Sequence, residues 1–370
     1  MVSSKSTYPF KSGWEKKARV LKLVLLAQFI GLGLGAIRLL EDALHALAIT
    51  KPTLHVVFTS FSLAVIFFPF LLYHHGSQNV LYMAKTRSWI FLVYVAFDIL
   101  AYQSFAFARG TGSFLVFSTT QSLLGLLVAI TSYFIFKSRY EYAHFIGAAL
   151  SLIGVVLILN GNQLTKRNYT TGSPFSGFSY SLLGTVLLSL CYLVLEAGLH
   201  QFLLIEFLAF SGLFGFLSDL LQMGFINPWE YAEVNWQPQA IKFFALAVLL
   251  RVIVTVGTFY LVKLSTATFA AHSTLSTEFF YILVRSFRVT QAMFPYSILV
   301  QHLLGYSVLV VGQIFMAARV ISQEEDMTCM VNFYRRPDLD EIVNHLPPRY
   351  DKPFNQNPFH EETFAEGEYY

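Results

Sequence analysis

Ten apolar stretches, each near the length needed to cross a lipid bilayer, constrain this chain more than any other feature. A spanning helix needs about 20 mostly apolar residues. The candidates are residues 20–40, 54–73, 88–108, 113–134, 143–159, 181–198, 206–221, 241–262, 268–284 and 295–317. The chain is 55% hydrophobic and only 13% charged, where a soluble globular protein carries about 25% charged residues. That balance excludes a disordered protein, a coiled coil and a disulfide-stapled secreted domain. The two cysteines, Cys191 and Cys329, cannot form a framework. The net charge of +3 is small and no basic run is interleaved with aromatics, so no nucleic-acid partner is expected. The reading is an all-α membrane protein of ten transmembrane helices.

The first 19 residues are polar and basic, and the apolar run after them has no small-residue cleavage pattern. It reads as the first transmembrane helix rather than a cleaved signal. With ten helices both termini share a side. That side collects Lys5, Lys11, Lys16, Lys17, Arg19, Lys22, Lys85, Arg87, Lys137, Arg139, Lys263 and Arg319. The other side collects Lys51, Arg109, Lys166, Arg167, Lys242, Arg285 and Arg288. Cationic flanks favour the cytosol, so both termini are expected there. The single sequon, Asn168-Tyr169-Thr170, falls between helices five and six. This places candidate glycosylation at Asn168 on the lumenal or extracellular side. Residues 321–370 are acidic and bear Pro, Asn and Gln, the composition of a disordered cytosolic tail. They contain Asn357-Pro358-Phe359, a candidate contact for a sorting adaptor.

The two halves echo each other at an offset of 158. His144-x-x-Gly147-x6-Gly154 returns as His302-x-x-Gly305-x6-Gly312, in helices five and ten. Ser118-Thr119 meets Ser276-Thr277, and Tyr102 meets Tyr260. Five helices per half is an odd number, which makes the two repeats inverted in the membrane. The expected organisation is a tail (1–19), a first five-helix repeat (20–160), a non-cytosolic loop (161–180), a second repeat (181–320) and the acidic tail (321–370). The glycine pairs lie on single helical faces and permit close helix contact, as do Gly31 and Gly35.

Ionisable groups inside spans cost about 2.5–3.5 kcal/mol each on insertion scales, so they are functional candidates. Asp98 has Tyr102 one turn on, on the same helix face. Helix four carries Gln121, helix six Glu196 and helix nine Glu278. Arg251 heads a polar stripe with Thr255 and Thr258 in helix eight. Gln28 shares a face with Gly31. These seven, Gln28, Asp98, Tyr102, Gln121, Glu196, Arg251 and Glu278, are the candidate substrate-binding residues. Against this stands a structural alternative, in which Arg251 pairs with Asp98 or Glu278 only to hold the bundle. Glu206, Asp219 and Arg38 lie near helix ends and are expected at the interface, with His144 and His302 beside the headgroups. His74-His75 falls in a short loop with no carboxylate or thiol near it in sequence to complete a metal site. No enzyme motif is present, and no cofactor or metal is expected.

Four stretches carry a family resemblance. Ser138-Arg139-Tyr140 through His144-Phe145-Ile146-Gly147 to Gly154-Val155 is one. Glu206-Phe207-Leu208 with Gly212-Leu213-Phe214-Gly215 is another, and Asn235-Trp236 a third. The last is Thr266-Ala267-Thr268 followed by Thr277-Glu278. Their order and spacing resemble solute carrier family 35, F-type branch, of the drug/metabolite transporter superfamily, over about residues 14–320. The resemblance implies two inverted five-helix repeats around a central cavity and carriage of small polar organic solutes by alternating access. It departs in helix nine, where Ser276-Thr277-Glu278 replaces a Thr-Ala-Asp run, and in helix six, where Glu196 stands without a second acid. The solute is therefore left as nucleoside-, nucleobase- or nucleotide-sugar-like. The membrane is an endomembrane (Golgi or endosomal) or the plasma membrane. The expected partners are the solute and the lipid bilayer, with a homodimer and the sorting adaptor as further candidates. The rival readings are a non-transporting receptor or scaffold with a degenerate carrier fold, and an intramembrane enzyme.

Overall fold

The computed structural model describes residues 13–47, 54–111, 114–136, 140, 142–161, 174–226, 236–289 and 296–323. Asn168 and the Asn357-Pro358-Phe359 segment lie outside them. The described residues form α1 (Gly13–Ala46), α2 (Leu54–His75), α3 (Ser77–Thr111), α4 (Phe114–Ser122), α5 (Leu124–Phe136) and α6 (Tyr142–Gly161). They continue as α7 (Pro174–Gln201), α8 (Leu204–Ile226), α9 (Pro238–Leu264), α10 (Ala267–Ser273), α11 (Ser276–Val289) and α12 (Tyr296–Gln323). Nine helical stretches among the described residues are long and apolar enough to cross a membrane. The tenth expected span is the α10–α11 pair, two helices too short to cross singly. Large apolar side chains face outward along the bundle, Phe134 at 74% and Phe145 at 61% exposed. Such a surface suits lipid rather than water.

Two of the ten expected helices are interrupted, and local chemistry accounts for both breaks. The α4–α5 junction follows the run Ser118-Thr119-Thr120-Gln121-Ser122. There Ser122 Oγ donates to the Thr119 carbonyl at 2.7 Å, Thr120 Oγ1 donates to the Phe117 carbonyl at 2.9 Å, and the Leu123 N–H donates to the Thr120 carbonyl. The α10–α11 junction carries Ser273-Thr274-Leu275-Ser276-Thr277. Ser273 Oγ and Thr274 Oγ1 donate to the carbonyls of Ala270 and Ala271 at 2.6 and 2.7 Å. Hydroxyls that bond to nearby carbonyls compete with the helical ladder. In each break the backbone falls back on bonds three residues apart. Such irregular backbone is tolerated at membrane depth only where it is buried in protein or lines a cavity.

The repeated glycines meet one another. A Cβ added at Gly154 would lie 2.5 Å from the Gly305 carbonyl, and one at Gly312 would lie 2.6 Å from the Gly147 carbonyl. Helices α6 and α12 therefore cross in opposite directions with their backbones nearly touching. α8 approaches α2 in the same way, since a Cβ at Gly212 would lie 2.6 Å from the Ala64 nitrogen. Gly76, at φ 73°, supplies the left-handed residue for the reversal between α2 and α3.

One end of the bundle is filled by aromatic rings. Phe91 of α3 lies 4.8 Å from both Phe202 and Phe210 and 5.1 Å from Phe207, ring centre to ring centre. Tyr94 extends the cluster to Phe207 and to Phe259 of α9. Phe91, Phe207 and Phe210 are fully buried. This cluster sits toward the α2–α3 and α7–α8 turns.

Candidate functional site

A cavity of ≈ 280 Å³ lies on the other side of that aromatic floor. Its walls come from the C-terminal halves of α1 and α3, the N-terminal half of α2, the middle of α7, α8 and α9, and both helix breaks. Of the seven residues expected to bind substrate, Asp98, Tyr102, Gln121, Arg251 and Glu278 line it. Gln28 and Glu196 are not among its lining residues. Gln28 instead bridges α1 to α12, donating to Gln313 Oε1 at 2.5 Å and accepting from the Tyr306 hydroxyl at 2.7 Å. Glu196 accepts from the backbone at Ala267, at the start of α10.

Two charged groups converge on the cavity. In the first, the Arg38 guanidinium donates to Glu278 Oε1 at 2.5 Å and also to Gln121. Ser118 donates to Glu278 Oε2 at 2.8 Å. Both carboxylate oxygens of Glu278, a side chain only 3% exposed, are thus satisfied. In the second, Glu41 is the hub. It accepts from Arg109 and from Arg251, the latter at 3.3 Å, and it lies 3.0 Å from His55 Nε2. The Tyr102 hydroxyl is 2.7 Å from the same imidazole nitrogen, and the Arg251 guanidinium lies over the Tyr102 ring at 4.9 Å. This network ties α1, α2, α3 and α9 together. Arg251 therefore pairs with Glu41, not with Asp98 or Glu278, and the partner of Glu278 is Arg38. Arg109, 36% exposed at its side chain, marks the end of the cavity nearest solvent.

Several residues expected at interfaces are buried. Asp219 is 4% exposed, lines the cavity and accepts from Ser60 at 3.0 Å. Glu206, 1% exposed, sits 3.0 Å from His75 Nε2 and caps the Leu203 N–H at 2.8 Å. His75 is thus the last residue of α2 rather than a loop residue. His144 and His302 are buried against the α6–α12 contact rather than set beside headgroups. Sequence reasoning missed Glu41, His55 and Arg109 as cavity-network residues and set Arg38 and Asp219 aside. α1, α3 and α8 run on past the apolar runs that marked the spans, so Glu41, Arg109 and Asp219 lie within helices.

The Arg251–Glu41 and Arg38–Glu278 pairs, set in a helical bundle interrupted twice at polar runs, define a multi-pass membrane protein with an internal polar chamber. The profile of solute carrier family 35 (SLC35F) matches residues 16–318. The chain belongs to solute carrier family 35, a family of membrane solute carriers. It is similar to solute carrier family 35 member F2 of Mus musculus, 23% identical over 79% of this chain and 77% of that one. The same member of Xenopus tropicalis is 25% identical over 60% of this chain and 58% of that one. An uncharacterized solute carrier family 35 member of Schizosaccharomyces pombe is 19% identical over 60% of this chain. The chain spans 44% of the length of that relative. A solved crystal structure shares the fold, with TM-score 0.60 and 15% identity over 82% of this chain and 99% of its own.

Proposed function

We propose that this protein carries a small polar organic solute, nucleoside-, nucleobase- or nucleotide-sugar-like, across a membrane by alternating access. The observation that carries the reading is the cavity at the two helix breaks. Broken helices at corresponding positions of two halves mark the binding site in many carriers, and charged groups kept at membrane depth are costly without a role. The solute would contact Asp98, Tyr102, Gln121, Arg251 and Glu278, with Gln28 and Glu196 acting on the neighbouring helix contacts.

The reading takes the chain as two inverted repeats, residues 20–160 and 181–320. Helix pairing supports it. α3 packs on α7 as α9 packs on α1, and α4–α5 packs on α7 as α10–α11 packs on α1. α3 meets α8 as α9 meets α2, while α2 and α8 meet each other. The Gly147–Gly312 and Gly154–Gly305 contacts are exchanged by the same correspondence. The reading also sets both termini in the cytosol. The cavity would then face the lumen or exterior, and the Phe91 cluster would seal the cytosolic side.

Uptake by sealed vesicles tests the function. Purified protein in liposomes, offered a mixture of nucleosides, nucleobases, nucleotide sugars and vitamins, should concentrate or exchange at least one solute class well above empty liposomes, as read by mass spectrometry of the lumen. Equal contents with and without protein for every class would contradict the proposal and favour the receptor or scaffold.

A further inference from the structure

We propose that the cavity holds the solute through a protonated amine, placed between Asp98 and Asp219 over an aromatic wall. This rests on the carrier reading above and adds the chemical class of the group recognised.

Charge in the chamber is unbalanced in a specific place. Its lining holds three guanidinium groups, on Arg38, Arg109 and Arg251, and four carboxylates, on Glu41, Asp98, Asp219 and Glu278. All three cations are committed: Arg38 to Glu278, and Arg109 and Arg251 to Glu41. Arg251 is near enough to act on both Asp98 and Asp219, yet its hydrogen bond goes to Glu41 and its face to the Tyr102 ring. Among the described residues Asp98 has no hydrogen-bond or ion-pair partner. Asp219 is 4% exposed and has Ser60 as its hydrogen-bond partner, through one carboxylate oxygen. Both carboxyl groups line the one chamber. Two carboxyl groups that no guanidinium bonds, facing one cavity, are a place for a cation, since an opposite charge within a few ångströms favours the ionised acids.

The wall around them has the complementary surface. Tyr94 lies one helical turn before Asp98 on the same face of α3, and Tyr192 of α7 lines the same chamber. Tyr94, Tyr192 and Phe259 all line the cavity. Aromatic faces attract ammonium groups, and more strongly where water is excluded. An anion offered to this end would meet two carboxylates and no free guanidinium. The solute's amine therefore points toward the aromatic floor, and its neutral or hydrogen-bonding portion toward Gln121 and the helix breaks.

Three probes of matched shape separate charge from fit: 2-phenylethylammonium, 2-phenylethanol and 3-phenylpropanoate. Titration calorimetry of the purified full chain should give at least about tenfold tighter binding of the ammonium than of either other probe, a difference of about 1.4 kcal/mol. Asp98→Asn and Asp219→Asn, each close to isosteric, should each remove that preference while melting within a few degrees of the wild type. Equal affinity of the wild type for the three probes overturns the proposal without reference to any variant. So does retention of the preference in both variants. Sodium chloride in place of potassium chloride distinguishes an inorganic cation site. If sodium alone displaces the ammonium in the wild type, the assignment to the solute is overturned. Solute uptake without an amine preference leaves the carrier reading standing and sinks this one. An amine preference without any uptake does the reverse.

Discussion

Glu278→Gln should abolish solute uptake in a protein that still folds, and Glu278→Ala should lose the fold as well. In the structure Glu278 accepts from Arg38 and from Ser118 beside the two helix breaks. Glutamine keeps the shape and one accepting oxygen, so Arg38 retains a partner. Alanine leaves a half-buried guanidinium with only Gln121 to receive it. Removing one partner of a buried pair costs about 3–5 kcal/mol, which is a large share of the roughly 5–15 kcal/mol that holds a typical domain. The Arg38→Met and Glu278→Leu double substitution removes both charges and should recover much of the stability. It should not recover uptake if the pair works on the solute. The check is melting temperature and uptake measured side by side on the four proteins. Full uptake by a well-folded Glu278→Gln variant would reduce the pair to a structural tie.

Glu41→Gln is the second large effect expected. Glu41 is the one carboxylate that receives Arg109 and Arg251 and sits against His55. Without its charge the two guanidinium groups face each other across the mouth of the cavity. Because Arg109 is more than a third exposed, solvent screens part of that repulsion, and the loss of stability should be smaller than for Glu278→Ala. The loss of function should still be large. The network joins α1, α2, α3 and α9, helices that would have to move relative to one another during transport. Uptake should fall by about tenfold or more, in proportion to a shift of about 1.4 kcal/mol in the balance of states. Uptake kinetics of the variant read this directly, with Arg109→Gln as the companion that should change them in the same direction.

Much of this architecture was legible because lipid imposes a coarse code. An apolar run of spanning length admits few structures, and nine of the ten expected spans reappear as long helices. The ninth expected span was short and polar, and it breaks at the Ser/Thr run that made it look polar, as the fourth does at its own. Asp98, Tyr102, Gln121, Arg251 and Glu278 were readable as cavity residues because each stands inside an apolar run. Glu41 and Arg109 were not, because they fall just past the apolar runs, and Arg38, near the end of the first run, reads as an interface residue. α1 continues to Ala46 and α3 to Thr111, carrying those charges beside the chamber. Gln28 and Glu196 show the converse. A polar side chain in a span must find a partner, and the nearest partner need not be in the cavity. Pairing of charges was the least readable layer, since Arg38 finds Glu278 across 240 residues of chain. The offset of 158 between the halves was legible in its glycines, which touch. It was misleading at Ser118 and Ser276, which fall before the first break and after the second.

In the proposed carrier cycle one cavity opens alternately to the two sides of a membrane. A single cysteine at Thr255, a cavity-lining position on α9, tests it in a background with Cys191 and Cys329 replaced by alanine. Sealed vesicles of both orientations are treated with a membrane-impermeant maleimide, with and without the solute found by uptake. Labelling is expected at rest from the face of the α1–α2 loop, and from the opposite face once solute drives the cycle. Labelling from one and the same face under every condition would contradict it.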